Sequence, residues 1–556
     1  MSDSERWKYI NFSSSSVDSV LENCLIKNLS YAENYWAISV VSTSIILRNS
    51  RIKNTATNVL KLINSSSTVD NLTIDKNSTG KAVEILGGAP EIRNSKFIDT
   101  YAGMFIEEGS KATIEGNYFE LQAVSPLEPV LVNNSYPVLK NNQGTSTNAL
   151  NGIFLSGTIA QNWQLNKNED FPYIISSLTN LASTTLEIDP GVTIKFKEWG
   201  KLEIRGTLKA EGTEEEKILF TSLQGYSGEI SFVSESASSS LKNVILEYGD
   251  SSGVVKVFNT NVDFQNTEFR YNNIALLLEN SSSTVSNCIF SDNPAISIQI
   301  NGGAPTIKNS VFTTGNLAIR IENNSQALIE NNSFEHFNYP QGTIFVNNSY
   351  PIFKGNSGQN NNINGIYLSG SVNEDWLLYK NEIPYVITNL TIASSSILEI
   401  KPGTVISFTT DPSGGMEVNG TLKAVGQEDD KIIFTSLNPP SRWGTIYFNS
   451  PEATSILEYV IISYGFGGNS DQGVVYVDGS KVEFSHLILE ENYYNLCFKN
   501  SPQSILSDLE FNSCLYRGLR IEGECPAMEN LILDCTCNFS SPSISCTTTS
   551  EQICSP

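Results

Sequence analysis

The chain repeats itself at two lengths, about 22 and about 215 residues, and this double period limits its fold more than any other property. The long repeat shows as near-identical phrases. Asn133-Asn134-Ser135-Tyr136-Pro137 returns as Asn347-Asn348-Ser349-Tyr350-Pro351, and Asn64-Ser65-Ser66-Ser67-Thr68-Val69 as Asn280-Ser281-Ser282-Ser283-Thr284-Val285. Gly87-Gly88-Ala89-Pro90 returns as Gly302-Gly303-Ala304-Pro305. Fixed periods in this range mean stacked units, each burying its apolar face only against its neighbours.

The short repeat is anchored on one apolar position: Ile26, Ile52, Ile74, Phe97 and Phe119, then Leu246, Phe269, Phe290, Phe312 and Phe334, then Ile462, Leu489, Phe511 and Leu533. Three residues before the anchor stands asparagine: Asn23, Asn49, Asn71, Asn94, Asn243, Asn266, Asn287, Asn309 and Asn331, with Gly116 the departure in the first two copies. Asparagine tolerates the left-handed backbone of a sharp bend, and stacked amides can hydrogen-bond along a ladder. The third copy reads Tyr459, His486, Asp508 and Asn530, so its ladder is degraded.

Runs such as Ala82-Val83-Glu84-Ile85-Leu86 alternate with period two and are separated by Gly, Asn and Ser, which reads as short strands. No stretch sustains an amphipathic helical pattern. A leucine-rich repeat has a similar period but needs leucines at fixed offsets around its asparagine, and these are missing. The expected fold is all-β: a right-handed parallel β-helix of roughly two dozen coils with a short Cys-rich C-terminal tail. The β-helix should run over residues 1–537, as long repeats of about 6–221, 222–436 and 437–537, the first and last partial, followed by the tail at 538–556.

A net charge of −24 argues against nucleic acid and anionic membrane surfaces as partners, and its plainest role is solubility. No apolar run is long enough to insert into a membrane, and the first residues lack a signal-peptide core. Arg6-Trp7 aligns with Arg442-Trp443, which follows a coil that the first copy lacks, so the parent chain is expected to continue upstream. Seven of the nine cysteines, Cys497, Cys514, Cys525, Cys535, Cys537, Cys546 and Cys554, cluster near the C-terminus and read as disulfide candidates in an oxidising compartment. Paired zinc knuckles are absent. Cys24 and Cys288 share a coil position and read as separate buried thiols. Among the glycosylation sequons, Asn64, Asn133, Asn280 and Asn347 fall in repeated turns, whereas Asn71 and Asn331 are ladder residues expected to be inaccessible.

The segment Trp376-Leu-Leu-Tyr379 through Pro384-Tyr385-Val386-Ile387, Pro402-Gly403, Gly420-Thr421-Leu422-Lys-Ala424 and Ile432-Ile433-Phe434-Thr435-Ser436 has an earlier copy from Trp163 to Ser222. These phrases resemble right-handed parallel β-helix repeat proteins of the exported or cell-surface type. The resemblance implies extracellular display, adhesion, carbohydrate contact or surface-layer building, and it carries over no catalytic residue.

Such folds also host pectate lyases and polygalacturonases, which need clustered carboxylates with calcium and a basic residue, or spaced aspartates on neighbouring coils. Asp429-Asp430 lies in a polar turn, and His336 and His486 read as structural. One acidic constellation stands out. Glu84 and Glu107 lie ten residues past their anchors, as do Glu279 and Glu322. If Glu84 and Glu107 stack on adjacent coils they repel, and Ca2+ would relieve the repulsion; carboxylates splaying into water is the plainer alternative. Tyr136 and Tyr350, Trp163 and Trp376, and Trp7 and Trp443 recur at matched positions, while Trp199 stands alone; they either stack on sugars or pack coil on coil.

The expectation is therefore a non-catalytic extracellular surface protein, adhesin-like or structural, with glycans or other surface components as partners. The alternatives are a polysaccharide-active lyase or glycosidase, and a fibre subunit binding further copies of itself end to end.

Overall fold

The computed structural model describes residues 9–533, apart from 17, 30–34, 123–127, 146–150, 226–227, 234–237, 250–252, 411–413, 468–471, 513–514 and 524. It is a right-handed parallel β-solenoid of about 21 turns, with no helix among the described residues. Two compact units divide the chain, Met1–Leu277 and Leu278–Pro556. The expected tail at 538–556 lies outside the described residues.

A coil is built around its corners. The asparagine before each anchor takes a left-handed backbone, with φ of 49–54° at Asn23, Asn49, Asn71 and Asn94 and 50–53° at Asn243, Asn266, Asn287, Asn309 and Asn331. A second left-handed corner follows two residues after the anchor, at Asn28, Asn54, Lys76 and Asp99 and at Tyr248, Tyr271, Asp292, Thr314 and His336. The anchor strand is thereby held to a few residues between two bends. A longer strand and a short third strand complete the turn.

Rows of like residues fill the interior. In the first unit Ile26, Ile52, Ile74, Phe97 and Phe119 lie in register on successive coils, each at most 7 % exposed. Phe97 and Phe119 stack at 4.8 Å, and in the second unit Phe290, Phe312 and Phe334 stack at 4.7 and 4.9 Å. Parallel strands place like side chains one strand spacing apart, which is ring-stacking distance.

The corner asparagines are mostly exposed, including Asn71 and Asn331, because the left-handed bend turns the side chain outward. Their expected inaccessibility is corrected. Amide contact persists there, Asn71 donating to Asn49 Oδ1 at 3.0 Å. The buried ladder sits one residue later. Asn117 Nδ2 donates to Asn142 Oδ1 at 3.1 Å, and Asn142 Nδ2 to Asn168 Oδ1 at 3.1 Å. Asn332, Asn356 and Asn381 repeat this in the second unit at 3.2 and 3.1 Å. Cys24 and Cys288 occupy the same step, their backbone N–H groups donating to Ser50 and Ser310 Oγ. Both are thiols.

The long repeat advances the faces of the solenoid by one. In the first unit the anchor row ends at Gly144, where a Cβ would lie 2.3 Å from the Phe171 ring. Phe171, from the next coil, takes the vacant place and stacks on Phe119 at 5.6 Å. The row of the longer strand, through Ile153, Tyr173 and Ile194, then becomes the new anchor row at Phe220, Leu246 and Phe269. A new row opens at Leu178, Leu202, Ile230 and Val255. The second unit repeats the exchange: its anchor row ends at Gly358, and Tyr385, Ile406, Phe434 and Ile462 form the new one. Leu390, Met416, Ile446 and Val475 open the new face.

Candidate functional site: an outward groove in the second unit

Glu84 and Glu107 do not stack. Glu84 pairs with Phe105 and Glu107 with Leu86, because a bulge at Ser78-Thr79-Gly80, within the strand Thr68–Leu86, shifts the register between Asn77 and Lys81. Glu84 is buried, and Lys81 Nζ and Lys61 Nζ hold it at 2.5 and 2.9 Å. Burial raises its pKa, but the hydrogen bonds and charges of these two lysines outweigh that, so it ends below the usual carboxylate value. The repulsion that invited Ca2+ is absent, and no cluster of three metal-ligating side chains occurs among the described residues.

Outward carboxylates elsewhere are drawn into local ion pairs. Glu22 meets Arg48 at 2.9 Å, Glu247 meets Arg270 at 2.8 Å, and Asp478 meets Lys499 at 3.2 Å. His336 lies 3.8 Å from Glu335 at an exposed corner, and His486 stacks on Tyr459 at 4.4 Å.

The matched aromatics among the described residues pack coil on coil, Tyr136 half-buried and Tyr350, Trp163, Trp376 and Trp443 buried. Trp163 and Trp376 are 6 % and 4 % exposed, and each Nε1–H donates at 2.8 Å to the carbonyl of Pro137 or Pro351. Tyr136 and Tyr350 meet them edge-on. Trp443 is buried on Phe408 at 4.0 Å. Trp7 lies outside the described residues, and Trp199 is exposed.

Asn64 and Asn280 are exposed at left-handed corners, while Asn133 and Asn347 are half-buried and accept hydrogen bonds from Ser156 and Ser369. Cys497 is corrected from the disulfide set. It is a thiol, 1 % exposed, on the strand Tyr494–Lys499 in register with Tyr476, not in the tail. Cys525 is disulfide-bonded. Cys514, Cys535, Cys537, Cys546 and Cys554 lie outside the described residues.

The new face of the second unit carries a groove of about 420 Å³, lined by Asn389, Thr391, Gly415, Glu417, Tyr447 and Tyr476 among others. Alternation on the strands Gly415–Val418, Thr445–Phe448 and Val475–Asp478 sends Met416, Ile446 and Val475 inward and Glu417, Tyr447 and Tyr476 outward. The two tyrosine rings stack at 5.1 Å. Tyr476 donates to Asp478 Oδ2 at 3.2 Å, and burial, then the Asp478 charge, pushes its pKa up to about 12. Glu417 is exposed and forms no ion pair among the described residues.

The family model for the right-handed β-helix region matches residues 9–123, 58–185 and 229–409, more than half of the chain. The chain belongs to the right-handed β-helix family. No curated protein and no solved structure matches this β-helix. The groove residues escaped the sequence reading, which looked for residues shared between repeats. These tyrosines differ from their repeat counterparts, Ser231 and Lys256.

Proposed function

We propose that this β-helix is a non-catalytic surface protein, displayed outside the cell, that binds glycans on its outward face. The single observation that carries the reading is the half-exposed Tyr447–Tyr476 stack bordering an open groove. Aromatic faces beside hydroxyl-accepting groups suit sugar rings. Lyase or glycosidase chemistry would need two or more carboxylates converging on one bond. Here Glu417 stands without an ion pair while Asp478 is engaged by Lys499 and Tyr476. The Cys525 disulfide supports an oxidising, extracellular setting.

Incubation of the full chain on a glycan array, with product analysis of every bound polysaccharide, tests this. Binding without new reducing ends or unsaturated products is expected. Bond cleavage, or no glycan bound at all, would overturn the reading.

A further inference from the structure

The long repeat supplies an internal control for the groove. In the first unit the equivalent outward row is Thr179, Glu203, Ser231 and Lys256, and in the second it is Thr391, Glu417, Tyr447 and Tyr476. The flanking phrases Gly206-Thr207-Leu208-Lys209-Ala210 and Gly420-Thr421-Leu422-Lys423-Ala424 fix the alignment.

In the first unit this row is closed by charge. Glu203 accepts from Arg205 at 2.7 Å and lies 3.3 Å from Lys201, while Glu229 meets Lys201 at 3.4 Å and Lys256 at 2.6 Å. In the second unit Lys201 becomes Gly415, Arg205 becomes Asn419, Glu229 becomes Thr445, Ser231 becomes Tyr447 and Lys256 becomes Tyr476. Every cation of the network is gone, one of its two carboxylates remains as Glu417, and two rings have been added. Gly415 also has a backbone reason, since a Cβ there would lie 2.0 Å from the Thr445 carbonyl oxygen. The other replacements have no such backbone cause.

The tyrosine stack is open at one end. Beyond Tyr476 the row continues with buried Cys497, but beyond Tyr447 it holds, among the described residues, Glu417 and Thr391 beside the bare backbone of Gly415. A ring stacked on the free face of Tyr447 would lie in the groove, within reach of the Glu417 carboxylate.

We propose that the groove is a saccharide subsite in which a neutral pyranose forms the next rung on Tyr447, its hydroxyls donating to Glu417. This rests on the glycan-binding reading above. Tyr447 supplies the stacking face, and Glu417 supplies acceptors that repel uronates.

Calorimetric titration of the full chain with cellotriose, chitotriose and tri-galacturonate, after the glycan array, tests it. A neutral trisaccharide should bind and tri-galacturonate should not. Tyr447→Ala should weaken binding about tenfold. Asn419→Arg should weaken it about fivefold, by giving Glu417 the partner that Glu203 has. Ser231→Ala should leave it unchanged, and thermal melts should show each variant folded. Unchanged affinity in both groove variants would overturn the subsite while leaving the glycan reading intact, as would preference for tri-galacturonate. A wild-type chain that binds nothing on the array would overturn both.

Discussion

Asn117 donates its side-chain amide to Asn142 Oδ1 at 3.1 Å, and Asn142 in turn reaches the Ile114 carbonyl at 2.8 Å. Both residues are at most 1 % exposed. Each amide thus ties one coil to the next and satisfies backbone groups that the corner leaves unpaired. Asn142→Leu should cost about 3 kcal/mol, because the Asn117 N–H and the Ile114 carbonyl both lose their partner. Chemical denaturation midpoints measure this, and Asn142→Leu within about 0.5 kcal/mol of wild type would contradict the ladder.

The corner asparagine has a different role, and substitutions separate the two. Asn71 sits at φ 50° with its side chain exposed. Asn71→Gly should be nearly neutral, while Asn71→Val should cost about 2 kcal/mol from backbone strain. Equal effects in the same denaturation assay would show that side-chain contact rather than conformation governs the site.

At the face exchange, Phe171 fills the space that Gly144 leaves open. Phe171→Ala should cost about 4 kcal/mol through the cavity it creates, and Gly144→Ala should also destabilise by collision with the ring. The double variant should be less destabilised than the sum, since removing the ring removes the collision. Strict additivity in a double-mutant cycle would contradict the contact.

Glu84 makes part of the stability pH-dependent. Its folded pKa lies below the usual 4.5, so its contribution is complete above that value and is lost as pH falls through the folded one. Glu84→Gln should therefore cost about 2 kcal/mol at pH 7, and the difference from wild type should close as pH falls through the depressed folded pKa. A difference that persisted unchanged to pH 3 in urea titrations would count against the Lys61–Glu84–Lys81 arrangement.

How much of this could be read from sequence depends on what each residue does. The left-handed corner before each anchor was legible because asparagine, which tolerates that backbone, recurs there, whereas the second corner was not, since Lys76, Tyr248, Thr314 and His336 stand at it. The buried ladder was not, since its step accepts Ser50, Leu72, Ser95, Asn117 and Asn142 alike and looks like ordinary polar punctuation. Glu84 and Glu107 were misplaced because spacing from the anchor cannot register a bulge that slips the pairing. The exchange of faces leaves the repeated phrases intact and alters only which strand each one meets. The groove was hidden for the opposite reason: it arises where the copies diverge, at Tyr447 and Tyr476.

Successive coils lie over one another with their residues in file. Glu399, Lys423, Ile456, Glu483, Ile505 and Ala527 form one such file on the second unit. Spin labels placed at Glu399 and Ile505, and separately at Glu399 and Ala527, measure its rise by pulsed electron resonance. Four and five strand spacings predict distances of about 19 and about 24 Å, a step of about 5 Å for one further coil. Two distances that fail to grow by that step would contradict the stacking on which every row described above depends.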